Sequence, residues 1–252
     1  MEKKKTILDI VDMQNDFMAP DGSLSLNCPE MADQANEFFK ALPQDSFDLV
    51  LIKRDTHFSG FYDKTAEGQQ FPAHCIYGTK GWAMAVDTTL LTLNQNVYFM
   101  NKDAFDMWGT VDTGYKPKLE DFKHYGEENV YKTLYGALGP NEFPRRDDIL
   151  PHNMQDTTVY LMGVASDICN RFAIKGYLER GANVVVIEDL TKGLAKQTPE
   201  VIAEIKEEMN LSDGRLTTTI ADVLLKKLRA EAGLNLTARP GANPGQQFRN
   251  EG

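Results

Sequence analysis

Short apolar runs alternate with helix-like runs along most of the chain, and this alternation limits the fold more than any other feature of the sequence. Each apolar run has the length of a buried strand and is bounded by turn residues or by a charged residue. The predicted strands cover residues 6–12, 47–53, 96–102, 158–162, 183–188 and 215–220, and the predicted helices cover 29–40, 170–180, 200–209 and 221–230.

Strands that alternate with helices predict parallel βαβ units, in a sheet covered on both faces by helices. The length of 252 residues suits one large α/β domain or two small ones. We predict a single domain over residues 1–232, with a long insertion at 103–151 that forms a lid or a small subdomain. A tail over 233–252, rich in glycine and proline, follows this domain.

Composition narrows the function classes. The formal net charge is -10, and the only basic block is at residues 3–5, which argues against nucleic acid and anionic membranes as partners. The three cysteines, Cys28, Cys75 and Cys169, are too few and odd in number for a disulfide framework and favour a reducing cytoplasm. No stretch approaches the roughly 20 apolar residues of a membrane span.

Charged and nucleophilic residues stand at the ends of the predicted strands. In parallel α/β sheets, ligand sites form beyond the carboxyl ends of the strands, so these side chains are expected to lie near one another. They are Asp12, Asp55, His57, Lys102 and Cys169.

Cys169 lies where a predicted buried strand turns into a predicted helix. Unpaired backbone N–H groups and the helix dipole favour negative charge there, which predicts a more acidic thiol and a better nucleophile. The alternative is an inert cysteine in the core, which is what most free cysteines are.

Asp55 and His57 are two residues apart, so in an extended segment both side chains point the same way. Two histidines and one carboxylate suit Zn²⁺ or another divalent transition metal, and His74 is a candidate third ligand. The alternative is an ordinary surface aspartate and a hydrogen-bonded histidine.

Asp12 and Lys102 allow two interpretations. They form either a simple ion pair at the sheet edge or, beside a thiol, a base and the ammonium that keeps this base ionised. His124 and His152 are possible partners of Cys169 in a dyad, although no spacing supports either one.

The motifs occur together in an order that resembles the isochorismatase-like cysteine hydrolases, and most closely the nicotinamidases and pyrazinamidases. The resemblance covers residues 5–102 and 157–225, and its segments are 12–17, 55–57, 71–81, Lys102 and 163–169. It implies a six-stranded parallel sheet with helices on both faces, a three-layer arrangement similar to the Rossmann fold. It also implies a catalytic triad of Asp12, Lys102 and Cys169, and metal ligands Asp55, His57 and His74.

The resemblance assigns further roles. Glu67, seven residues before His74, matches a fourth ligand that some nicotinamidases add. A cis peptide at Val164–Ala165 is implied, and it helps to aim the N–H groups of Ala165 and Cys169 as an oxyanion hole. Two aromatic residues are predicted to contact the substrate: Phe17 and Phe71.

The resemblance implies a metal-containing cysteine amidohydrolase that converts nicotinamide to nicotinate and ammonia, with zinc, iron or manganese as cofactor. We also expect a cytoplasmic homo-oligomer. The long insertion and the tail depart from the compact members of the family. Two alternatives stay open: a hydrolase of another small amide, and a non-catalytic α/β binding module that contains a metal. The cysteine argues against isochorismatase itself, and the metal ligands argue against the carbamoyl-amide hydrolases of the family.

Overall fold

The computed structural model describes residues 4–91, 94, 96–108, 149–211 and 214–234. Most of the predicted insertion, including His124, lies outside these residues, as does the tail from residue 235. The prediction of a lid or subdomain at 103–151 therefore stays a prediction, and so does the single-domain boundary at residue 232.

The six predicted strands all form, and they pair in one parallel sheet with the order β3-β2-β1-β4-β5-β6. The strands are β1 (Lys5–Val11), β2 (Leu49–Asp55), β3 (Val97–Lys102), β4 (Thr157–Val164), β5 (Asn183–Lys192) and β6 (Leu216–Thr219). The helices are α1 (Asn15–Met18), α2 (Pro29–Ala41), α3 (Cys169–Glu179), α4 (Thr198–Glu208) and α5 (Ala221–Glu231).

Helices cover both faces of the sheet, which confirms the three-layer α/β prediction. Phe38 and Phe39 of α2 pack with Leu224 of α5 against one face, and Tyr177 of α3 packs with Ile205 of α4 against the other. Full burial of an apolar side chain of this size contributes about 1.5–3 kcal/mol. Every helix among the described residues is too short or too polar to cross a lipid bilayer.

The strand order reverses between β1 and β4, because the chain builds the sheet outward from β1 to β3 and then continues on the other side with β4. A crevice forms beyond the carboxyl ends of the strands at such a switch point. Gly163 brings the two strands together there, since its φ is 111° and a Cβ would lie 2.0 Å from the carbonyl oxygen of Val11. Asp12 follows β1, and Cys169 opens the helix that follows β4, so both residues lie at this crevice.

One strand is longer than the sequence indicates. The predicted strand at 183–188 continues as β5 to Lys192, past a register shift opposite Leu161 and Gly163. The Lys192 carbonyl then accepts a hydrogen bond from the N–H of Ser166, at 2.9 Å. This extension holds the loop between β4 and Cys169 against the sheet.

Candidate active site and metal centre

Asp12, Lys102 and Cys169 lie together at the switch point and are all buried. The Lys102 ammonium lies 2.8 Å from Oδ2 of Asp12 and donates to Sγ of Cys169 at 3.4 Å. The Asp12 carboxyl is fully buried and Lys102 is 7 % exposed, so this ion pair does not lie at the protein surface. Asp12 also has a left-handed backbone, with a φ of 49°, which is uncommon outside glycine and is often found at functional sites.

Burial and neighbouring charges determine the protonation states of Asp12 and Lys102. Burial raises the pKa of Asp12, and the charge of Lys102 offsets part of this effect. Burial alone would lower the pKa of Lys102, but the carboxylates of Asp12 and Asp55 outweigh it and raise this pKa well above its usual value. Lys102 therefore stays a cation throughout the neutral pH range.

The prediction of an acidic thiol at Cys169 is wrong for the resting site. Burial raises the pKa of Cys169 well above its usual value, and this effect exceeds the lowering by Lys102. The carboxylates of Asp12 and Asp55 raise this pKa further. The thiol is thus protonated at neutral pH, and a nucleophilic Cys169 requires a base that removes its proton.

The loop before Cys169 has the backbone that the resemblance implies. The Val164–Ala165 peptide is cis, and the Ala165 carbonyl accepts hydrogen bonds from the N–H groups of Ile168 and Asn170, both at 3.1 Å. The Asn170 side chain donates to the Gly163 carbonyl at 3.0 Å. Within the described part of the chain, the N–H groups of Ala165 and Cys169 donate to no protein acceptor. Both remain available to an oxyanion.

Asp55, His57, Glu67 and His74 form a second buried cluster, and their candidate ligand atoms all lie within 4.8 Å of one another. The Nε2 atoms of His57 and His74 are 2.9 and 3.1 Å from Oδ2 of Asp55. Both are also 3.3 Å from Oε1 of Glu67. The structure brings together Asp55, His57 and His74, which the sequence offered as candidate ligands, and Glu67, which only the resemblance indicated.

The donor set of this cluster fits a divalent transition metal. Nδ1 of His74 lies 2.8 Å from the Pro72 carbonyl, so in the neutral imidazole that binds a metal it is Nδ1 that carries the proton, and the lone pair of Nε2 faces the cluster. The two oxygens of Glu67 are buried and, among the described residues, have no hydrogen-bond donor besides these imidazoles. Two imidazoles and two carboxylates are ligands that Zn²⁺ and similar cations take.

The electrostatics of the cluster also favour a cation. Burial would lower the pKa of both imidazoles, but Asp55 and Glu67 raise it to about 9 for His57 and about 10 for His74. The pKa of Asp55 lies well below its usual value although burial opposes this, because His57 and Lys102 stabilise the carboxylate. Two carboxylates in a buried space therefore attract positive charge, which protons or a metal ion can supply.

An apolar pocket connects the two clusters, and its lining includes Asp55, Glu67, His74 and Cys169. Phe17 and Phe71, both predicted to contact substrate, form part of its wall. Phe17 packs edge-on against the His74 ring at 5.2 Å between ring centroids. His152, by contrast, is exposed and precedes β4 at the opposite edge of the sheet, so it does not pair with Cys169.

Three residues of the site carry no signal in the sequence. Tyr62 packs on the His57 ring at 4.5 Å and places its hydroxyl 3.2 Å from Nδ1 of His74. Phe105 lines the pocket and contacts Phe71 at 5.8 Å between ring centroids, and Leu194 lines the pocket from the loop after β5. Tyr62 begins a short 3-10 helix, and Phe105 and Leu194 lie in loops, so no sequence periodicity marks them and only their spatial neighbours reveal their roles.

The chain matches the model of the isochorismatase domain over residues 6–206. A nicotinamidase of Saccharomyces cerevisiae is 23% identical over 230 residues, which cover 81% of this chain and 95% of the relative.

Solved structures share the fold. PnC1 of L. infantum in complex with nicotinate has a TM-score of 0.56 at 20% identity and covers 87% of this chain and 94% of its own. A pyrazinamidase of Pyrococcus horikoshii in complex with zinc has a TM-score of 0.52 at 21% identity, and the match covers 86% of this chain and 99% of the pyrazinamidase. An N-carbamoylsarcosine amidase of Thermoplasma acidophilum has a TM-score of 0.51 at 18% identity, and the match covers 86% of this chain and 97% of the amidase. With most of its length matched by the domain model, the chain belongs to the isochorismatase family, where it resembles the nicotinamidases and pyrazinamidases.

Proposed function

We propose that the protein is a metal-containing cysteine amidohydrolase that converts nicotinamide and water to nicotinate and ammonia. One observation carries this proposal. The buried ammonium of Lys102 contacts the Cys169 thiol, the Asp12 carboxylate and the Asp55 carboxylate, at 3.4, 2.8 and 2.9 Å. Asp55 in turn contacts both imidazoles. The thiol and the candidate metal centre therefore line one apolar pocket, and the Lys102 ammonium joins both of them to the base Asp12.

In the first half-reaction, Asp12 takes the proton of the Cys169 thiol while Sγ attacks the carbon of the carboxamide. The high pKa of this thiol makes such a base necessary, and burial makes the Asp12 carboxylate more basic. The oxyanion accepts hydrogen bonds from the N–H groups of Ala165 and Cys169, each worth about 3 kcal/mol in comparable acyl transfers. Asp12 then protonates the leaving nitrogen, ammonia departs, and a thioester remains on Cys169.

In the second half-reaction, Asp12 takes a proton from a water molecule, whose oxygen attacks the thioester carbon. The carbon–sulfur bond breaks, the proton held by Asp12 returns to Sγ, and the nicotinic acid that forms loses its carboxyl proton to solvent to give nicotinate. Lys102 keeps its charge through both halves and stabilises whichever of Asp12 and Cys169 is the anion.

Asp55, His57, Glu67 and His74 would hold the metal ion. When bound, such an ion supplies Lewis-acid stabilisation of charge and a ligand position for a ring nitrogen or a water molecule. Zinc is our first choice because the donor set is two imidazoles and two carboxylates, and iron and manganese are the alternatives.

The pocket supports a small aromatic amide as substrate. Phe17 and Phe71 offer ring surfaces, and Phe105 closes the wall behind Phe71. Aromatic faces of this kind stack on a flat heterocycle and hold its carboxamide near Sγ of Cys169. The matches to a nicotinamidase and to a nicotinate complex point the same way.

The second candidate is a hydrolase of another small amide. It rests on the N-carbamoylsarcosine amidase among the structural neighbours. We rank it lower because the four residues of the candidate metal site suit a substrate with a ring nitrogen. A binding module without catalysis ranks third, since it leaves the contact between Lys102 and Cys169 without a purpose.

The direct experiment measures ammonia release from nicotinamide by the purified protein, with elemental analysis of the same sample. We expect release of one ammonia for each nicotinate formed, and metal close to one ion per chain. A folded, metal-loaded protein that leaves nicotinamide and pyrazinamide intact but cleaves another amide would favour the second candidate. The same protein inert to a panel of amides would favour the binding module.

The cellular setting belongs to the same proposal. The three cysteines are free and buried in the described structure, which supports a reducing compartment such as the cytoplasm. Nicotinate formation suits a role in NAD salvage. The net charge of -10 still argues against nucleic acid and membranes as partners, and association into a homo-oligomer stays a prediction.

A further inference from the structure

Asp55 is the residue on which the two halves of the site depend. Its Oδ1 lies 2.9 Å from Nζ of Lys102, whereas its Oδ2 faces both imidazoles. A rotated or displaced carboxylate would exchange these contacts, so the backbone of Asp55 needs a fixed position.

The sheet does not fully provide that position. β1 pairs with β2 only as far as Val11 and Lys53, and Asp55 lies two residues beyond this last pair. On its other side Asp55 pairs with Lys102 of β3. The N–H and C=O that Asp55 turns toward β1 therefore have no strand partner, although the residue is buried.

The Gln14 side chain takes the place of the missing strand. Its Oε1 accepts from the N–H of Asp55 at 2.7 Å, and its Nε2 donates to the C=O of Asp55 at 2.9 Å. Nε2 also donates to the C=O of Trp82 at 2.8 Å. One side-chain amide thus imitates a neighbouring peptide and joins Asp55 to the loop that carries Trp82.

Gln14 itself is rigid. It is fully buried, its N–H donates to the Asp12 carbonyl at 2.8 Å, and it forms an isolated antiparallel bridge with Met84. The N–H of Asn15 donates to the Ala83 carbonyl at 2.9 Å. Because its backbone is held on both sides, the amide of Gln14 can hold Asp55 in turn.

We propose that Gln14 is a positioning residue of the metal centre: through its paired hydrogen bonds to the Asp55 backbone it sets which carboxylate oxygen faces the metal ion and which faces Lys102. This inference rests on the proposed function, because it requires that the cluster binds a metal. Outer partners that orient a ligand typically contribute 10–100-fold to metal affinity. Loss of the Gln14 amide should therefore weaken metal binding by about that factor.

The test uses Zn²⁺ alone and measures its dissociation constant by competition with a chromophoric chelator, for the full chain. Gln14→Met removes both hydrogen bonds to Asp55 at nearly constant size. Gln14→Asn keeps a polar amide but is one methylene shorter, so it cannot reach both groups. The matched control is Asn15→Ala, since Nδ2 of Asn15 donates to the Lys80 carbonyl in the same loop but does not contact Asp55. The melting temperature of each metal-free variant is recorded beside its Zn²⁺ affinity.

We expect both Gln14 variants to bind Zn²⁺ about 10–100-fold more weakly, with Asn15→Ala close to wild type. A merely structural Gln14 would lower the melting temperature and leave the Zn²⁺ affinity unchanged, and that result overturns the inference. Failure of both variants to fold would also overturn it, because Gln14 would then be needed for folding rather than for positioning. A wild-type protein without measurable Zn²⁺ affinity removes the metal centre and the inference with it, whereas Gln14 variants that bind Zn²⁺ as tightly as wild type overturn the inference and leave the metal centre in place.

Discussion

The ammonium of Lys102 lies 2.9 Å from Oδ1 of Asp55, so a buried carboxylate of the proposed metal site directly contacts the proposed catalytic triad. A change on one side of this contact must alter the charge balance on the other. The triad and the metal centre are therefore expected to respond together to mutation, and the following predictions use this coupling.

Replacement of Lys102 should reduce catalysis by orders of magnitude, and it should also lower stability because two buried carboxylates lose their cation. Lys102→Ala leaves Asp12 and Asp55 without their common cation, so Asp12 becomes harder to ionise and the pKa of Cys169 rises further. We expect kcat to fall by about 10²–10⁴-fold, the range that general-base catalysis contributes. Lys102→Arg should not restore the rate, because a planar guanidinium does not replace a compact ammonium.

The measurement is kcat together with the rate of iodoacetamide labelling of Cys169 as a function of pH. Labelling of Lys102→Ala at neutral pH should be slower than in wild type. Lys192→Ala is the control, since Lys192 is another strand-terminal lysine, but its ammonium donates to the Asn27 carbonyl at 3.4 Å rather than to a group of the triad. An unchanged thiol pKa and an unchanged kcat in Lys102→Ala would make Lys102 a scaffold residue.

Replacement of individual histidines should distinguish the proposed metal ligands, His57 and His74, from His152, which lies outside the cluster. His57→Ala and His74→Ala each remove an imidazole from the cluster. Loss of a residue that only orients a ligand weakens metal binding about 10–100-fold, and we expect a larger loss for either histidine. Glu67→Ala should lose less metal affinity, because Oε1 of Glu67 is 3.3 Å from both imidazoles, whereas Oδ2 of Asp55 is 2.9 Å from that of His57. His152→Ala is the control, since that side chain is exposed. Elemental analysis decides, and undiminished metal in His57→Ala would contradict the site.

The stability of the metal-free protein should fall as the pH rises above neutrality. The pKa values of His57 and His74 are raised from 6.5 to about 9 and about 10 by Asp55 and Glu67. A raised pKa in the folded state means that the contribution is complete below about pH 6.5 and is lost as the pH rises through the folded values. The informative window runs from about pH 6.5 to 8, below the usual pKa of cysteine and lysine.

Thermal melts of chelator-treated protein across this window measure the effect. Protein loaded with Zn²⁺ should show a flatter profile, because bound imidazoles are already deprotonated. Equal profiles for the two forms would indicate that the imidazoles do not bind the added metal.

Phe17 should contribute to substrate binding rather than to the chemical step. Aromatic pairs contribute about 0.5–1.5 kcal/mol beyond their buried area, so Phe17→Ala should raise KM on the order of 10-fold with a smaller change in kcat. The control is Phe172→Ala, because Phe172 is an exposed phenylalanine on α3. Steady-state kinetics with nicotinamide provide the answer, and an equal KM in Phe17→Ala and wild type would exclude the predicted ring contact.

The positions of the site residues were predictable because they follow from strand ends. Asp12, Lys102 and Cys169 each terminate or follow an apolar run, and parallel strands bring their carboxyl ends to one edge. Asp55 and His57 were candidate ligands because residues two apart in an extended segment point the same way, His74 was a possible third ligand, and Glu67 joined them by resemblance.

The features of the site that the sequence did not predict depend on tertiary packing. The direction of the Cys169 pKa was wrong because the helix N-terminus is visible in a sequence while full burial of the thiol is not. The buried ion pair of Asp9 and Lys53, at 2.8 Å, interrupts two predicted apolar strands, and no pattern pairs residues 44 positions apart. The hydrogen bonds of Gln14 to Asp55 were hidden in the same way, since they depend on where β1 ends relative to β2.

The most direct test of the account is the turnover of Cys169→Ala with nicotinamide. The account predicts that ammonia release is abolished while the fold and the metal content match the wild type, because the chemistry is covalent and the lost side chain is small. Cys28→Ala and Cys75→Ala, which remove the other two buried thiols, should keep most of the activity. A Cys169→Ala protein that retains more than a few per cent of the wild-type rate, above roughly the background left by binding and oxyanion contacts, would contradict the covalent mechanism.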